Sequence, residues 1–327
     1  MSVLPNLFLV GAQKSATTSL ASCLELHSEV FFSSLKEPMF FCYDDSTVLR
    51  DAYTDSSSSA IRYKWSLESD RKELLRMYQG LFKYSSDEKY CGEGSTLYLP
   101  SRTALDRIKS YCPEAKIIVM LREPFSRTLS ALRHFSQRRL IVNIEDYFDN
   151  FFASEKDPLG VLSHSFYRAQ LEYLFSLFDR SKVCIVFFED FKRDGKKVQS
   201  EIFRFLGLDY DNIPTFDGVK NISLEPRFSA VDKCLVNFCK VMNIRISPKQ
   251  SIEVEAYQRW VDKENELSPP LKQRFRRVYE SILMRPVTSR VELQEETRSK
   301  VVNILEKKNL ELASILGVKL PKEWMRS

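Results

Sequence analysis

Several stretches of this chain carry residue types that can hold an anion and move a proton. Leu7–Leu20, LFLVGAQKSATTSL, is an apolar run, one glycine, Lys14, and then Ser15, Ala16, Thr17, Thr18 and Ser19 before apolar residues resume. Backbone N–H groups at a helix start, with the helix dipole behind them, favour negative charge. Lys14 adds a full positive charge and the hydroxyls add donors. The stretch reads as a phosphate cradle in which Gly11 lets the chain turn at the strand end. An ordinary strand–turn–helix with a solvated lysine has the same pattern. The Walker A spacing, G-x-x-x-x-G-K-[ST], is not met, because Ala16 precedes Thr17 and Thr18.

A second anion site of the same build is expected further on. The apolar run Ile117–Leu121 ends in Arg122, Pro124 breaks the strand, and Ser126 and Ser130 fall on one face of the helix that follows. Ligands of open α/β sheets collect at strand carboxyl ends, so two such sites suggest a ligand with two separate phosphates. Between them lies Lys36-Glu37-Pro38, anchored by Phe40 and Phe41. A carboxylate held between apolar anchors beside an anion site suits a general base. A solvated turn glutamate paired with Lys36 accounts for it as well. His134 is the other candidate base, with a helix residue lining the cleft as its plainer role.

The elements that must position these groups alternate. Apolar runs at Leu7–Val10, Val30–Phe32, Ile117–Leu121 and Val183–Phe188 suit strands buried on both faces. Helical spacing appears at Lys72–Phe82, at His164–Phe178 and from Gly195 to a closing Gly207, and Ser101 or Thr103 caps a further helix. Glu145–Phe152 is a helix or a loop, and Thr288–Leu316 yields one or two helices stopped by Gly317. Asp44–Trp65 reads as a long surface loop bordering a cleft, Lys220–Ser229 as a basic loop, and Ser268–Leu283 as a basic amphipathic helix. The pattern is α/β, a central parallel sheet flanked by helices, in one domain over 1–327. Its nucleotide-binding core covers about 5–230 and a helical part about 231–327.

Composition bounds the partners. A hydrophobic share of 43% supports a packed core rather than a disordered chain. With 49 basic and 44 acidic residues the net charge of +5 permits a polyanionic substrate but gives no case for nucleic acid. Seven cysteines without a CxxC pair, and only three histidines, give no zinc signature and suit a reducing compartment. No apolar run approaches the roughly 18 residues that span a membrane, and no signal peptide is evident. A soluble cytoplasmic protein, or a catalytic portion trimmed of an anchor, is expected.

These blocks together resemble the sulfotransferases that use 3′-phosphoadenosine 5′-phosphosulfate (PAPS), particularly the heparan sulfate type and its bacterial relatives. The family's 5′-phosphosulfate loop, K-x-G-T-T, is similar to Lys14-Ser15-Ala16-Thr17-Thr18. Its 3′-phosphate motif, L-R-x-P-x-x-R-x-x-S, is similar to Leu121, Arg122, Pro124, Arg127 and Ser130. Its catalytic glutamate before a Phe-Phe pair is similar to Glu37 before Phe40-Phe41. GEGSTLYLP, SFYRAQLEYLF, VFFEDF and FRFLGL resemble further family blocks in order, so the likeness covers about 5–230. Ala16 departs from the family glycine, and the loop lacks the tryptophan that stacks adenine in aryl-type members.

The resemblance implies a P-loop-like sulfotransferase fold, PAPS as donor, PAP as product and no metal. It gives Lys14, Ser15, Ala16, Thr17, Thr18 and Ser19 to the 5′ end and Arg122 and Ser130 to the 3′-phosphate. Arg227 resembles the late nucleotide-binding loop only loosely. Lys14 is implied to stabilise the leaving phosphate and Glu37 to take the acceptor proton. The acceptor is a small molecule or glycan, with Arg133, Arg138 and Arg139 as residues that can shape its cleft. The chain then has no nucleic acid partner and no membrane of its own. A P-loop-like Mg-ATP kinase, with Cys184–Asp190 as the strand and acid that hold Mg²⁺, and a non-catalytic nucleotide-binding protein are the alternatives.

Overall fold

Alternation along one strand sets the layers of this protein. In the computed structural model, which describes residues 4–33, 35–42, 71–137, 140–211, 224–226, 284–286 and 291–325, strand β1 (Leu7–Gly11) is buried throughout. Phe8 and Val10 pack with Leu97, Tyr98, Leu105 and Ile108. Leu7 and Leu9 point the other way, into Leu20, Leu24, Ile202 and Phe203. Successive strand side chains face opposite sides, so a strand covered on both faces is apolar without a break.

Four more strands join it: β2 (Val30–Phe32), β3 (Tyr90–Gly94), β4 (Lys116–Leu121) and β5 (Val183–Phe187). The order is β2-β3-β1-β4-β5, with every pair parallel. β1 therefore sits in the middle, with Leu7 opposite Gly92 on one side and Lys116 on the other. From β1 the chain goes first to one side of the sheet and later to the other. The carboxyl end of β1 is thus the switch point at which α/β sheets open a crevice.

Helices cover both faces, as parallel crossovers require. α1 (Thr17–Leu24) lies on the Leu7/Leu9 face. α2 (Arg71–Gln79) and α3 (Arg102–Tyr111) lie on the other, and the Ser101 hydroxyl caps α3 by accepting from Ala104 N–H at 3.1 Å. α4 (Pro124–Gln137) follows β4, and α5 (Ile144–Ser154) is a helix capped by the Asn143 side chain. α6 (Tyr167–Leu177) starts three residues later than the apolar spacing predicts. The reason is Asp157, whose carboxylate takes the N–H groups of Val161, Leu162 and Ser163 at 2.6–2.8 Å and holds that backbone in its own turn. β5 also stops one residue early, because Phe188 opens the short helix α7 (Phe188–Arg193).

α8 (Gly195–Leu206) ends on Gly207 at φ 63° as expected. Near the end of the chain, α9 (Glu295–Lys308) packs Val301 and Leu305 against Leu132, Phe135, Phe148 and Phe151. α10 (Leu312–Leu316) returns Leu312 and Leu316 to the sheet core and stops at Gly317, φ 67°. β6 (Leu224–Pro226) pairs antiparallel with β7 (Met284–Pro286). Arg227, Arg138, Arg139, the Asp44–Trp65 stretch and the Ser268–Leu283 stretch lie outside the described residues. Among the described residues no helix is long and apolar enough to cross a membrane.

Candidate active site

The loop between β1 and α1 is shaped by packing on its strand side and by left-handed backbone at its tip. A Cβ at Gly11 would come within 2.9 Å of Leu99 Cβ and 3.3 Å of Thr96 O, so the glycine permits a close approach rather than an unusual φ. The left-handed positions are instead Lys14 (φ 68°) and Ala16 (φ 63°), and Ala16 is the residue that caps α1. Its carbonyl accepts from the N–H groups of Ser19 and Leu20 at 3.0 and 3.1 Å, which starts the helix. The first N–H groups of a helix have no acceptor within it. Those of Thr17 and Thr18 therefore belong to the loop mouth.

Several buried polar atoms of this loop and of the arginines after β4 lack partners among the described residues. Ser15 Oγ, Ser19 Oγ, Gln13 Oε1, Arg122 Nε and Arg133 Nε are all buried without a hydrogen bond. Buried polar groups are nearly always paired, and a cluster of exceptions at a strand–helix loop asks for a ligand with many acceptors. A phosphorylated donor meets that demand for the hydroxyls and guanidinium groups.

Arg122 ties the two expected anion sites together. It follows β4, the neighbour of β1, and its Nη1 donates to the carbonyl of Lys14 at 3.1 Å. Its guanidinium lies 4.7 Å from the ring centre of Phe188, and its own carbonyl takes the Tyr167 hydroxyl at 2.9 Å. Burial lowers its pKa, Glu189, Tyr167 and Glu123 pull it back up, and the nearby Arg133 cation adds a smaller push downward. Ser130 is half-buried on α4, one turn before His134.

The second site is not a copy of the first. Glu123 folds its carboxylate over the start of α4, accepting from Phe125 N–H at 2.7 Å and Ser126 N–H at 2.6 Å. That helix start already holds an anion of the protein, so any site here rests on Arg122 and Ser130 side chains. Arg127 is fully buried; its Nη2 donates to the carbonyls of Gly160 and Val161 at 2.9 and 2.6 Å and braces the turn that Asp157 organises, while its Nε and Nη1 have no hydrogen-bond partner among the described residues.

Glu37 sits in a segment with two left-handed residues, itself at φ 52° and Met39 at φ 54°. A cleft of about 230 Å³ brings this segment to the loop: Lys36 and Glu37 line it with Thr17, Thr18, Ser22, Ser33 and Gly94, over a floor of Leu9, Phe32 and Leu35. His134 lies apart from that cleft, in the last turn of α4, with its ring edge-on to Phe135 at 5.3 Å. Glu189 and Asp190, the acids of the kinase alternative, are engaged. Glu189 accepts from Glu123 N–H and Trp324 Nε1, both at 3.0 Å, and Asp190 pairs with Arg193 at 2.9 Å.

Two features were not read from the sequence. One is Glu93 on β3, fully buried and bonded to Tyr78, Ser95 and Tyr98. The signal was a lone acid between two glycines in an otherwise apolar strand. The other is Arg133 as the neighbour of Arg122, whose signal was its position on the helix face of Ser126 and Ser130.

Residues 5–212 match the sulfotransferase family. The chain is similar to human carbohydrate sulfotransferase 15, 24% identical over 314 residues, covering 78% of this chain and 55% of that protein. It is also similar to the bifunctional heparan sulfate N-deacetylase/N-sulfotransferase of Drosophila melanogaster, 23% identical over 249 residues, covering 71% of this chain and 23% of that protein. The chain thus spans about half the length, or less, of these curated relatives. Its fold is similar to that of a solved sulfotransferase from Alicyclobacillus acidocaldarius, with a TM-score of 0.64, 20% identity, and coverage of 99% of this chain and 100% of that one.

Proposed function

Because this chain belongs to the sulfotransferase family, we propose that it transfers a sulfuryl group from PAPS to a hydroxyl or amine of an acceptor. The observation that carries this reading is the shared cleft in which Thr17 and Thr18 of the helix-start loop face Lys36 and Glu37. In that arrangement a donor's reacting group and an acceptor's proton-bearing atom can meet between the hydroxyls and the carboxylate.

The residues divide the work as follows. Lys14, Ser15, Ala16, Thr17, Thr18 and Ser19 hold the 5′ end, with hydroxyls and loop N–H groups as donors. Arg122 and Ser130 hold the 3′-phosphate, and the bond from Arg122 to the Lys14 carbonyl keeps the two ends at a fixed spacing. Lys14 balances charge that grows on the leaving phosphate. Glu37 takes the proton of the acceptor as the S–O or S–N bond forms, and the bond from sulfur to the bridging oxygen breaks. Such a transfer relies on placement and charge balance more than on covalent chemistry. Arg227 remains a candidate for the nucleotide on the family resemblance alone, and His134 is the next base if Glu37 is dispensable. A glycan acceptor is favoured over a small metabolite by the carbohydrate and heparan sulfate relatives.

Calorimetric titration with adenosine 3′,5′-bisphosphate, beside ATP with and without Mg²⁺, tests the donor. Metal-independent binding of the bisphosphate, weakened by Arg122→Ala, is the expected result. Binding of ATP with Mg²⁺ alone would overturn it in favour of a kinase.

A further inference from the structure

We propose that Glu93 is a positioning residue for Glu37: its carboxylate orients the Ser95 and Tyr98 hydroxyls, and these in turn hold the backbone of the segment that carries Glu37. The proposal rests on Glu37 being the base.

The geometry is a two-step clamp. Glu93 accepts from Ser95 Oγ at 3.0 Å, from Tyr98 at 2.7 Å and from Tyr78 at 2.9 Å. Ser95 Oγ then accepts from the Met39 N–H at 3.0 Å, and the Tyr98 hydroxyl from the Phe41 N–H at 3.3 Å. A hydroxyl has one proton to donate. By taking that proton, the carboxylate turns the lone pairs of both hydroxyls toward the two amides. The segment needs such a hold, since Glu37 and Met39 both adopt a left-handed backbone that L-residues disfavour. Such conformations persist only where the surroundings over-determine them. Burying a carboxylate for packing alone would be a poor solution, because a buried charge must recover its hydration from bonds.

The charge state of Glu93 enters the clamp. Facing it are Tyr78 from α2, Ser95 and Tyr98 from the turn after β3, Glu37 from the clamped segment and Cys112 beyond α3. Burial pushes its carboxyl up to about 7 against the pull of the three hydroxyls, and the Glu37 charge adds to the push. Ionised, it accepts all three protons. Protonated, it must donate at one contact, and that hydroxyl no longer has its proton directed away from the amide. Turnover is therefore expected to rise with pH through about 7 in a step that belongs to Glu93.

The experiment compares the full chain with Glu93→Gln, Ser95→Ala and Tyr98→Phe. Glu93→Gln keeps the shape but not the uniform acceptor, and the other two each remove one arm of the clamp. Amide hydrogen exchange across residues 38–42, adenosine 3′,5′-bisphosphate affinity, and kcat and KM for PAPS against pH are measured on each. The expected result is faster exchange at Met39 for Ser95→Ala, at Phe41 for Tyr98→Phe, and at both for Glu93→Gln. In Glu93→Gln kcat falls about tenfold or more, the scale of a small misplacement. There the step near pH 7 is lost, while bisphosphate affinity and KM stay within about twofold. Unchanged exchange in Glu93→Gln, or an unchanged kcat and pH profile, overturns the proposal. Amide exchange does not depend on the reaction. Changed exchange in a protein that neither binds the bisphosphate nor uses PAPS would refute the sulfotransferase reading while leaving the clamp in place.

Discussion

At the residue scale, the groups proposed for the chemistry are those that lie close together in sequence. Lys14, Thr17 and Thr18 are legible in sequence because a strand end, a lysine and a helix start are consecutive. Glu37 is legible because its two phenylalanine anchors follow within four residues, and both are buried. Glu93 is not, because Ser95 and Tyr98 follow it closely but Tyr78 comes from α2, and their convergence on one buried carboxylate appears only in the fold. Arg127 shares the spacing of an anion motif, and the fold shows what the spacing does not: its Nη2 braces two backbone carbonyls, while its Nε and Nη1 have no partner among the described residues. Lys14→Ala and Glu37→Gln are each expected to lower kcat by about a hundredfold or more, the scale of positioned acid–base and charge-balancing groups. Steady-state rates with PAPS check this, and full activity in Glu37→Gln would move the base elsewhere, with His134 first. Arg122→Ala is expected to weaken bisphosphate binding by about tenfold or more, as loss of a charge-assisted contact does. An unchanged affinity would remove Arg122 from the nucleotide site.

At the element scale, helix starts and stops were legible where a side chain or a glycine does the work, as at Ser101 and Gly207. They were missed where a distant side chain takes over the backbone. Asp157 delays α6, and Glu123 turns the start of α4 from a binding site into a closed cap. Gly11 ends β1, and its missing Cβ also makes room for Leu99. The strained position is Ala16, at φ 63°, where a family motif carries glycine. A left-handed L-residue costs about 1–2 kcal/mol, and glycine gives back part of that gain as unfolded-state entropy. Ala16→Gly is therefore expected to raise stability by about 0.5–1 kcal/mol in urea denaturation, without loss of bisphosphate affinity. A destabilised variant would mean that the Ala16 methyl makes contacts worth more than its backbone strain.

At the scale of the whole molecule, the parallel sheet was legible from its apolar strands, while their order was not. Order depends on which strands meet, and period-two patterning is the same in any order. The buried acid in the sheet affects global stability. Glu93 has its pKa raised from 4.5 to about 7, so the folded state holds a proton that the unfolded chain releases. That contribution is fully present below pH 4.5 and is lost as pH rises through about 7. Its size is about 3 kcal/mol, at about 1.36 kcal/mol per unit. Glu93→Gln should flatten this part of the stability curve, measured by urea denaturation at pH 5 and pH 8. Parallel pH profiles for variant and parent would show that Glu93 titrates normally. The acid thus weakens the fold at neutral pH, in the form in which it holds the Glu37 segment best.

The central place of β1 bears on how the protein is made. Both of its neighbours, paired through Gly92 and Lys116, leave the ribosome after it. At roughly 5–20 residues per second, β1 waits on the order of ten seconds with two open edges. Such a strand is apolar on both faces and has every ladder bond unfilled, which makes it a target for chaperones and for mispairing. Fragments that end before β4 are expected to aggregate, and ribosome-bound chains halted on either side of it should differ in protease resistance.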